Sequence, residues 1–241
     1  MNKAKLLAIL CLALVAAPVM TGCYYGGPVV SGSGRSVTKS LDLAGFSAVD
    51  VSNAIRVNVK QGAAFSVSVS ADDNLWDRLQ VRTSGQTLQV GLQPGAYNNT
   101  HISAEITMPA LNRLSLSGAS QGNISSFKSE SGLNLDLSGA SRATGDAQAG
   151  AADFSLSGAS NVSLSGAADS LRLDASGASR ADLTNFAVNK ANVTLSGASN
   201  ADISVKSNLD YELSGASHLT YTGRPSIGKS STSGASSAQG K

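Results

Sequence analysis

From residue 46 onward, short runs of alternating apolar and polar residues carry the period-two signature of strands with one buried face. The tetrapeptide Ser-Gly-Ala-Ser punctuates this alternation, beginning at Ser117, Ser138, Ser157, Ser176, Ser196, Ser214 and Ser233. Its spacings are 21, 19, 19, 20, 18 and 19 residues, a regularity that marks a structural repeat, because a Ser-rich background would scatter the copies. One residue before the motif stand Leu116, Leu137, Leu156, Ala175, Leu195, Leu213 and Thr232; three before stand Leu114, Leu135, Phe154, Leu173, Val193, Tyr211 and Ser230. Both columns fall on one face of a strand. Downstream, Val162 and Leu164, Ala181 and Leu183, Ala201 and Ile203, and Leu219 and Tyr221 mark a second strand two and four places after the motif. Between them lie Gln121, Arg142, Asn161, Arg180, Asn200 and His218, then Asn123, Thr144, Ser163, Asp182, Asp202 and Thr220, which are expected to face water in stacked ladders.

Each repeat therefore predicts a rung of two short strands and two corners. Gly118, Gly139, Gly158, Gly177, Gly197 and Gly215 are read as structural corners, where a missing Cβ permits a tight bend. The opposite corner varies more, with candidates at Ser131-Gly132, residues 146–150, Ser165-Gly166, residues 184–190 and residues 222–228. No helix of ten residues fits between corners, so the rungs must stack directly. The expected fold is all-β, a parallel β-helix (β-solenoid) of two facing sheets with rungs of about 19 residues. At roughly 4.8 Å per rung, seven rungs make a rod about 30–35 Å long.

Residues 114–225 are assigned to this solenoid, and residues 226–241, nearly all small or polar, to a tail expected to fray. Upstream, strands are expected at residues 55–59, 65–69, 79–81, 88–90 and 102–106. Reversals are expected at Gln61-Gly62 and Ser84-Gly85-Gln86, with one helical turn over residues 72–78 carrying Trp76. So short a segment would be marginal alone, and residues 41–113 are expected to pack on the solenoid.

The first residues carry Lys3 and Lys5, then an apolar run that closes on Met20-Thr21-Gly22-Cys23. About fifteen apolar residues are short for a membrane span, which needs roughly 20. Residues 1–22 read as an export signal, and the four-residue close resembles a lipobox with lipidation at Cys23. Cys11 leaves with the leader, so no intramolecular disulfide is expected. Residues 23–40, rich in Gly and Ser, read as a flexible tether. Tyr24 in place of Asp after the lipidated cysteine points to the outer membrane in a Gram-negative host.

Composition narrows the chemistry further. Charged residues make up 14% of the chain and aromatics 5%, which starves an enzyme of its usual side chains. Removing Lys3 and Lys5 leaves equal numbers of basic and acidic residues, so no nucleic-acid footprint exists and no nucleic-acid partner is expected. Gly118-Ala119-Ser120-Gln121-Gly122 fits G-x-S-x-G, but it lies inside a repeated corner with no helix after it. His101 and His218 are the only histidines, too few for a His-based metal site. No cofactor, metal or catalytic residue is expected. Asp182 and Asp202 hold equivalent positions in neighbouring rungs, a candidate contact for a cation or ligand, with Arg180 close enough to neutralise them. Arg142 and Arg180 could touch acidic glycans.

With the lipobox, the strand series at residues 46–108, Met108-Pro109-Ala110-Leu111 and the Ser-Gly-Ala-Ser corners together, residues 44–225 resemble the bacterial auto-transporter adhesin, head GIN domain family. The resemblance implies a β-helix of two facing sheets joined by Gly turns, similar in shape to pectate-lyase-like folds. It also implies a cell-envelope location, an adhesive role and self-association into oligomers, and it carries no catalytic residues over. The resulting expectation is an exported lipoprotein, held in the membrane through Cys23, presenting a rigid solenoid to a glycan or cell-surface ligand without catalysis. The alternatives are a carbohydrate-active β-helix enzyme using Asp182 and Asp202, and a passive envelope-structural protein.

Overall fold

A computed structural model of the chain describes residues 28–129 and 132–241. Cys23 and the export signal lie outside the described residues, as does Ser131. In chain order the strands are β1 (Val30–Ser31), β2 (Ser36–Leu41), β3 (Ala48–Val51), β4 (Arg56–Gln61), β5 (Ser66–Asp72), β6 (Leu79–Ser84), β7 (Thr87–Leu92), β8 (Tyr97–Asn98), β9 (Ile102–Met108) and β10 (Arg113–Leu116). They continue as β11 (Gln121–Ser129), β12 (Leu133–Leu137), β13 (Arg142–Leu156), β14 (Asn161–Ala175), β15 (Arg180–Leu195), β16 (Asn200–Leu213), β17 (His218–Thr222), β18 (Ser226–Thr232) and β19 (Ser237–Gly240). A 3-10 turn at Asp73–Arg78 carries Trp76, where the helical turn was expected.

The rungs coil into a β-solenoid, as the repeat requires. The strand before each corner joins a leading sheet, which runs β7, β3, β10, β12, the second halves of β13 to β16, then β18, all parallel. The strand after each corner joins a trailing sheet: β9, β4, β11, the first halves of β13 to β16, β17 and β19. The inward columns named from the sequence fill the space between. Leu114, Leu135, Phe154, Leu173 and Val193 are buried, as are Leu116, Leu137, Leu156, Leu195 and Leu213. Small residues face large ones, because the space between the sheets is narrow. A Cβ on Gly122 would meet Leu116 at 2.9 Å and Leu114 at 3.1 Å.

The corner opposite Ser-Gly-Ala-Ser is less a turn than a bend within a strand. From β13 to β14 the ladder runs through Ala147↔Gly166, Gln148↔Ala167 and Ala149↔Ala168 before resuming on the leading sheet. Phe127, Phe186, Val188 and Val205 bury their side chains along this third edge, and Phe186 lies 5.9 Å from Phe154 between ring centroids. The bend needs glycine at Gly145, whose φ is +131° and whose Cβ would overlap the Ile124 carbonyl of the rung below.

One rung escaped the tetrapeptide search. β3 leads into Ser52-Asn53-Ala54-Ile55 and β4 follows, in register with β10 and β11 on either side of the next corner. Asn53 (φ +65°) stands where later corners have glycine, since Asn tolerates the left-handed region better than other side chains. Ile55 is buried where later corners bury serine.

At the N-terminal end the sheets turn antiparallel. β5 pairs with β9 and β2 with β5, while β6 and β7 form a hairpin across Gly85. This curled layer covers the outer edges of β9 and β7. Residues 30–31 and 36–40, assigned to the flexible tether, are instead strands. β1 pairs with β8 and β2 with β5. Composition misled there because an edge strand is held by its backbone ladder and needs no apolar face. Residues 226–241 likewise continue the rod in place of a frayed tail. β18 and β19 extend the ladders of β16 and β17 chiefly through backbone bonds, with side chains that are exposed apart from Ala238.

Candidate functional site

The corners are the most repeated local structure, and their chemistry is structural. The corner glycines hold φ between +62° and +76° from Gly118 to Gly234, and from the Gly158 corner onward the next residue's N–H donates to the glycine carbonyl one rung below, as in Ala178 to Gly158 at 2.7 Å. The final serine is buried in every corner but the last, and in all but the Ser196–Ser199 corner it turns its hydroxyl back on the first serine's carbonyl. Ser120 donates to Ser117 at 2.7 Å, and Ser141, Ser160, Ser179, Ser217 and Ser236 do the same in their corners. Ser120 is thus an internal strut with no exposed hydroxyl to attack a substrate, and His218, which follows the sixth corner, hydrogen-bonds Ser237.

On the trailing sheet, Asp182 and Asp202 face one another as register partners, as expected. Arg180 Nη2 lies 3.3 Å from Asp202 Oδ2, while Asp182 Oδ1 accepts from the Thr184 hydroxyl at 2.6 Å. Both carboxylates therefore have protein partners. The outward ladder of Arg142, Asn161, Arg180, Asn200 and His218 is also in register.

The leading sheet carries a feature that the sequence reading passed over. Two places before the corners stand Asp50, Ser115, Asp136, Ser155, Asp174, Thr194, Glu212 and Ser231, stacked in register. Acidic and hydroxyl side chains alternate strictly along this column. Beside it runs the column of first corner serines, Ser117, Ser138, Ser157, Ser176 and Ser196. Because both columns are built of short side chains, they leave a trough of about 480 Å³ along the rod axis. A hollow of about 210 Å³ around Asp50 adjoins it through Ser117, and another of about 470 Å³ around Glu212 adjoins it through Thr194. The first two lie between this column and the corner serines, whereas the third lies on the column's other side, against Asn192, Asp210 and Lys229.

The trough's charges are largely balanced from the next column. Arg113 Nε lies 3.4 Å from Asp136 Oδ2, and Arg172 Nε donates to Asp174 Oδ2 at 2.9 Å. Burial pushes the Asp50 carboxyl above its ordinary value. Reading the residue two before each motif, with the alignment already in hand, would have exposed this column.

A second polar cluster fastens the N-terminal strand. Asp72, fully buried, accepts from the Gly34 N–H at 2.9 Å and the His101 N–H at 2.8 Å. Asp73 accepts from the Ser33 hydroxyl and from Arg35 Nε at 2.8 Å, and these bonds hold its carboxyl below the usual carboxylate value.

The family described as putative auto-transporter adhesin, head GIN domain, matches residues 45–225, and the chain belongs to it. Solved structures share the fold. A putative adhesin from Bacteroides fragilis has a TM-score of 0.78 at 18% identity, over 88% of this chain and 100% of that one. A putative lipid binding protein from Parabacteroides distasonis reaches 0.66 at 16% identity, covering 89% and 100%. A putative adhesin from the same organism reaches 0.67 at 15%, with the same coverage. No curated protein matches the chain.

Proposed function

We propose, with membership of that adhesin family as the premise, that the chain is an exported envelope lipoprotein whose solenoid binds glycan through the trough of the leading sheet. The carrying observation is the trough itself, about 480 Å³ lined by aligned hydroxyls and carboxylates from five successive rungs together with Leu116, Leu137, Leu156 and Ala175. Side chains held on stacked strands keep their spacing without a ligand, so a long partner pays little ordering entropy and gains from many weak contacts. Lipidation at Cys23 fits this arrangement. Val30 follows Cys23 by seven positions, a reach of at most about 25 Å, so the curled N-terminal layer would sit nearest the bilayer with the rungs extending from it. Outer-membrane location follows from the same reading of Tyr24.

Two measurements test it. Protease shaving of intact and permeabilised cells with a C-terminal tag, beside Cys23→Ala, reports anchoring and orientation; a mutant that stays membrane-bound would sink the lipoprotein reading. Retention of the purified protein on insoluble polysaccharides, compared with Ser155→Trp to fill the trough and Asn161→Trp on the trailing sheet, tests the site. Loss in the first variant alone is expected, and equal retention by both would remove the trough from the account.

A further inference from the structure

The solenoid repeats every rung, but the charges in the trough repeat every second rung, and this mismatch identifies a class of ligand. Resting on the glycan-binding reading above, we propose that the trough holds a linear, neutral β-1,4-linked glycan lying along the rod axis. Its hydroxyls meet the corner serines at every rung, and every second sugar is read by a carboxylate.

Three observations support it. First, spacing: rungs stack about 4.8 Å apart, so Asp136 and Asp174 recur at about 9.6 Å. An extended 1,4-linked pyranose chain advances by close to one rung per sugar. Second, symmetry: successive rings in a β-1,4 chain are flipped, so the same edge of the chain returns only at every second sugar. A column that alternates Ser115, Asp136, Ser155, Asp174, Thr194 and Glu212 has that period, whereas the corner serines have the period of one sugar. Third, charge: Asp136 and Asp174 each engage an arginine through Oδ2, at 3.4 and 2.9 Å, which leaves Oδ1 of each for a ligand hydroxyl. Carboxylates already balanced by guanidinium groups favour a neutral hydroxyl donor over a polycation, and the arginines fix their orientation. The lining of the central trough holds no aromatic ring to stack on a sugar; Leu116, Leu137, Leu156 and Ala175 share it with the Ser, Thr and Asp side chains, so a glycan there combines hydrogen bonds with aliphatic contact, weak per sugar and additive along the chain.

The test is calorimetric titration of the purified protein with β-1,4-gluco-oligosaccharides of two to six sugars, with α-1,4-linked oligosaccharides of equal length as the arm lacking the two-sugar repeat. Affinity is expected to rise severalfold with each added pair and little with each odd sugar, for the β-linked series only. Asp174→Asn should weaken binding of the six-sugar ligand about tenfold, the effect of losing one charge-assisted hydrogen bond. Ser155→Ala should weaken it only about twofold, and Asp182→Asn on the trailing sheet should leave it unchanged. Even increments per sugar, or α- and β-linked series that bind alike, would overturn the alternating readout while leaving glycan binding in place. No binding of either series, with no retention on the parent polysaccharides, would overturn both.

Discussion

Replacing Gly177 by Ala should destabilise the rod more than the same change at Gly118, although both glycines occupy the same place in their corners. Their φ angles are +76° and +62°, and an L-residue in that region costs about 1–2 kcal/mol at either site. What differs is the rung below. A Cβ at Gly177 would lie 2.4 Å from the Gly158 carbonyl oxygen and 3.2 Å from its carbonyl carbon and Cα. At Gly118 the nearest atom is the Asn53 nitrogen, at 3.3 Å. The clash at Gly177 falls on the oxygen that accepts the 2.7 Å bond from Ala178, so relief means parting the rungs there. The lost bond, about 1 kcal/mol, and a similar amount of residual backbone strain make the difference about 2 kcal/mol. For a chain of this size that corresponds to about 4–8 °C in Tm. Thermal melts of both variants followed by far-UV circular dichroism, with urea midpoints as a check, measure it. Equal losses, or a greater loss at Gly118, would refute backbone stacking as the reason for glycine at these corners.

Other consequences are equally local. Ser160→Ala should lower stability by about 1 kcal/mol by removing its bond to Ser157. Ser199, whose buried hydroxyl has no hydrogen-bond partner, should tolerate alanine with no loss or a small gain, and parallel denaturation curves distinguish the two. Burial raises the Asp50 pKa, so the stability linked to its protonated form is present below the ordinary carboxylate value and lost as pH rises through the raised one. Asp50→Asn should therefore raise Tm at neutral pH and change little at about pH 3. Asp73 is shifted the other way, by bonds from Ser33 and Arg35, so its contribution is present above the ordinary carboxylate value and fades as pH falls. Amide protection at residues 33–36, taken relative to the intrinsic exchange rate at each pH, should fall in acid, and Asp73→Ala should lower it already at neutral pH; unchanged protection would mean that β2 is held by its ladder with β5 alone.

The solenoid was legible because its inside is a one-dimensional pattern. Leu114 to Val193 and Leu116 to Leu213 repeat at the rung period, and from Gly158 onward Gly at the corner is forced by the carbonyl beneath it. The rung at Ser52-Asn53-Ala54-Ile55 was not legible from the tetrapeptide. Only its first and third residues match, and Ser117 follows Ser52 by 65 positions, an interval that holds the antiparallel layer. A search for left-handed residues flanked by apolar pairs, here Val51 before and Val57 after, would have found it. β2 was hidden for a different reason: Ser36 to Ser40 carries no burial pattern, and its position is set by backbone pairing and by the carboxylates of Asp72 and Asp73, forty residues away in sequence. The trough is hard to see in the sequence because its column, two places before each motif, mixes Ser, Thr, Asp and Glu and repeats only over two rungs, whereas Asp182 and Asp202 stand in adjacent rungs of the trailing sheet.

Those two columns also bear on whether the alternation in the trough needs a functional cause. Carboxylates in adjacent rungs would stand about 4.8 Å apart and repel, and alternation with Ser or Thr doubles that distance. Repulsion alone could thus produce the pattern on the leading sheet. The trailing sheet shows, however, that the fold has another remedy, since it keeps Asp182 directly against Asp202 and brings Arg180 and the Thr184 hydroxyl to them. The leading sheet already has arginines in place, Arg113 at Asp136 and Arg172 at Asp174, and so had the means to hold adjacent carboxylates as well. Folding asks only that these outward positions be polar. A two-rung period kept from Asp50 to Ser231, and lining the trough from Ser115 to Thr194, therefore points to a partner with that period.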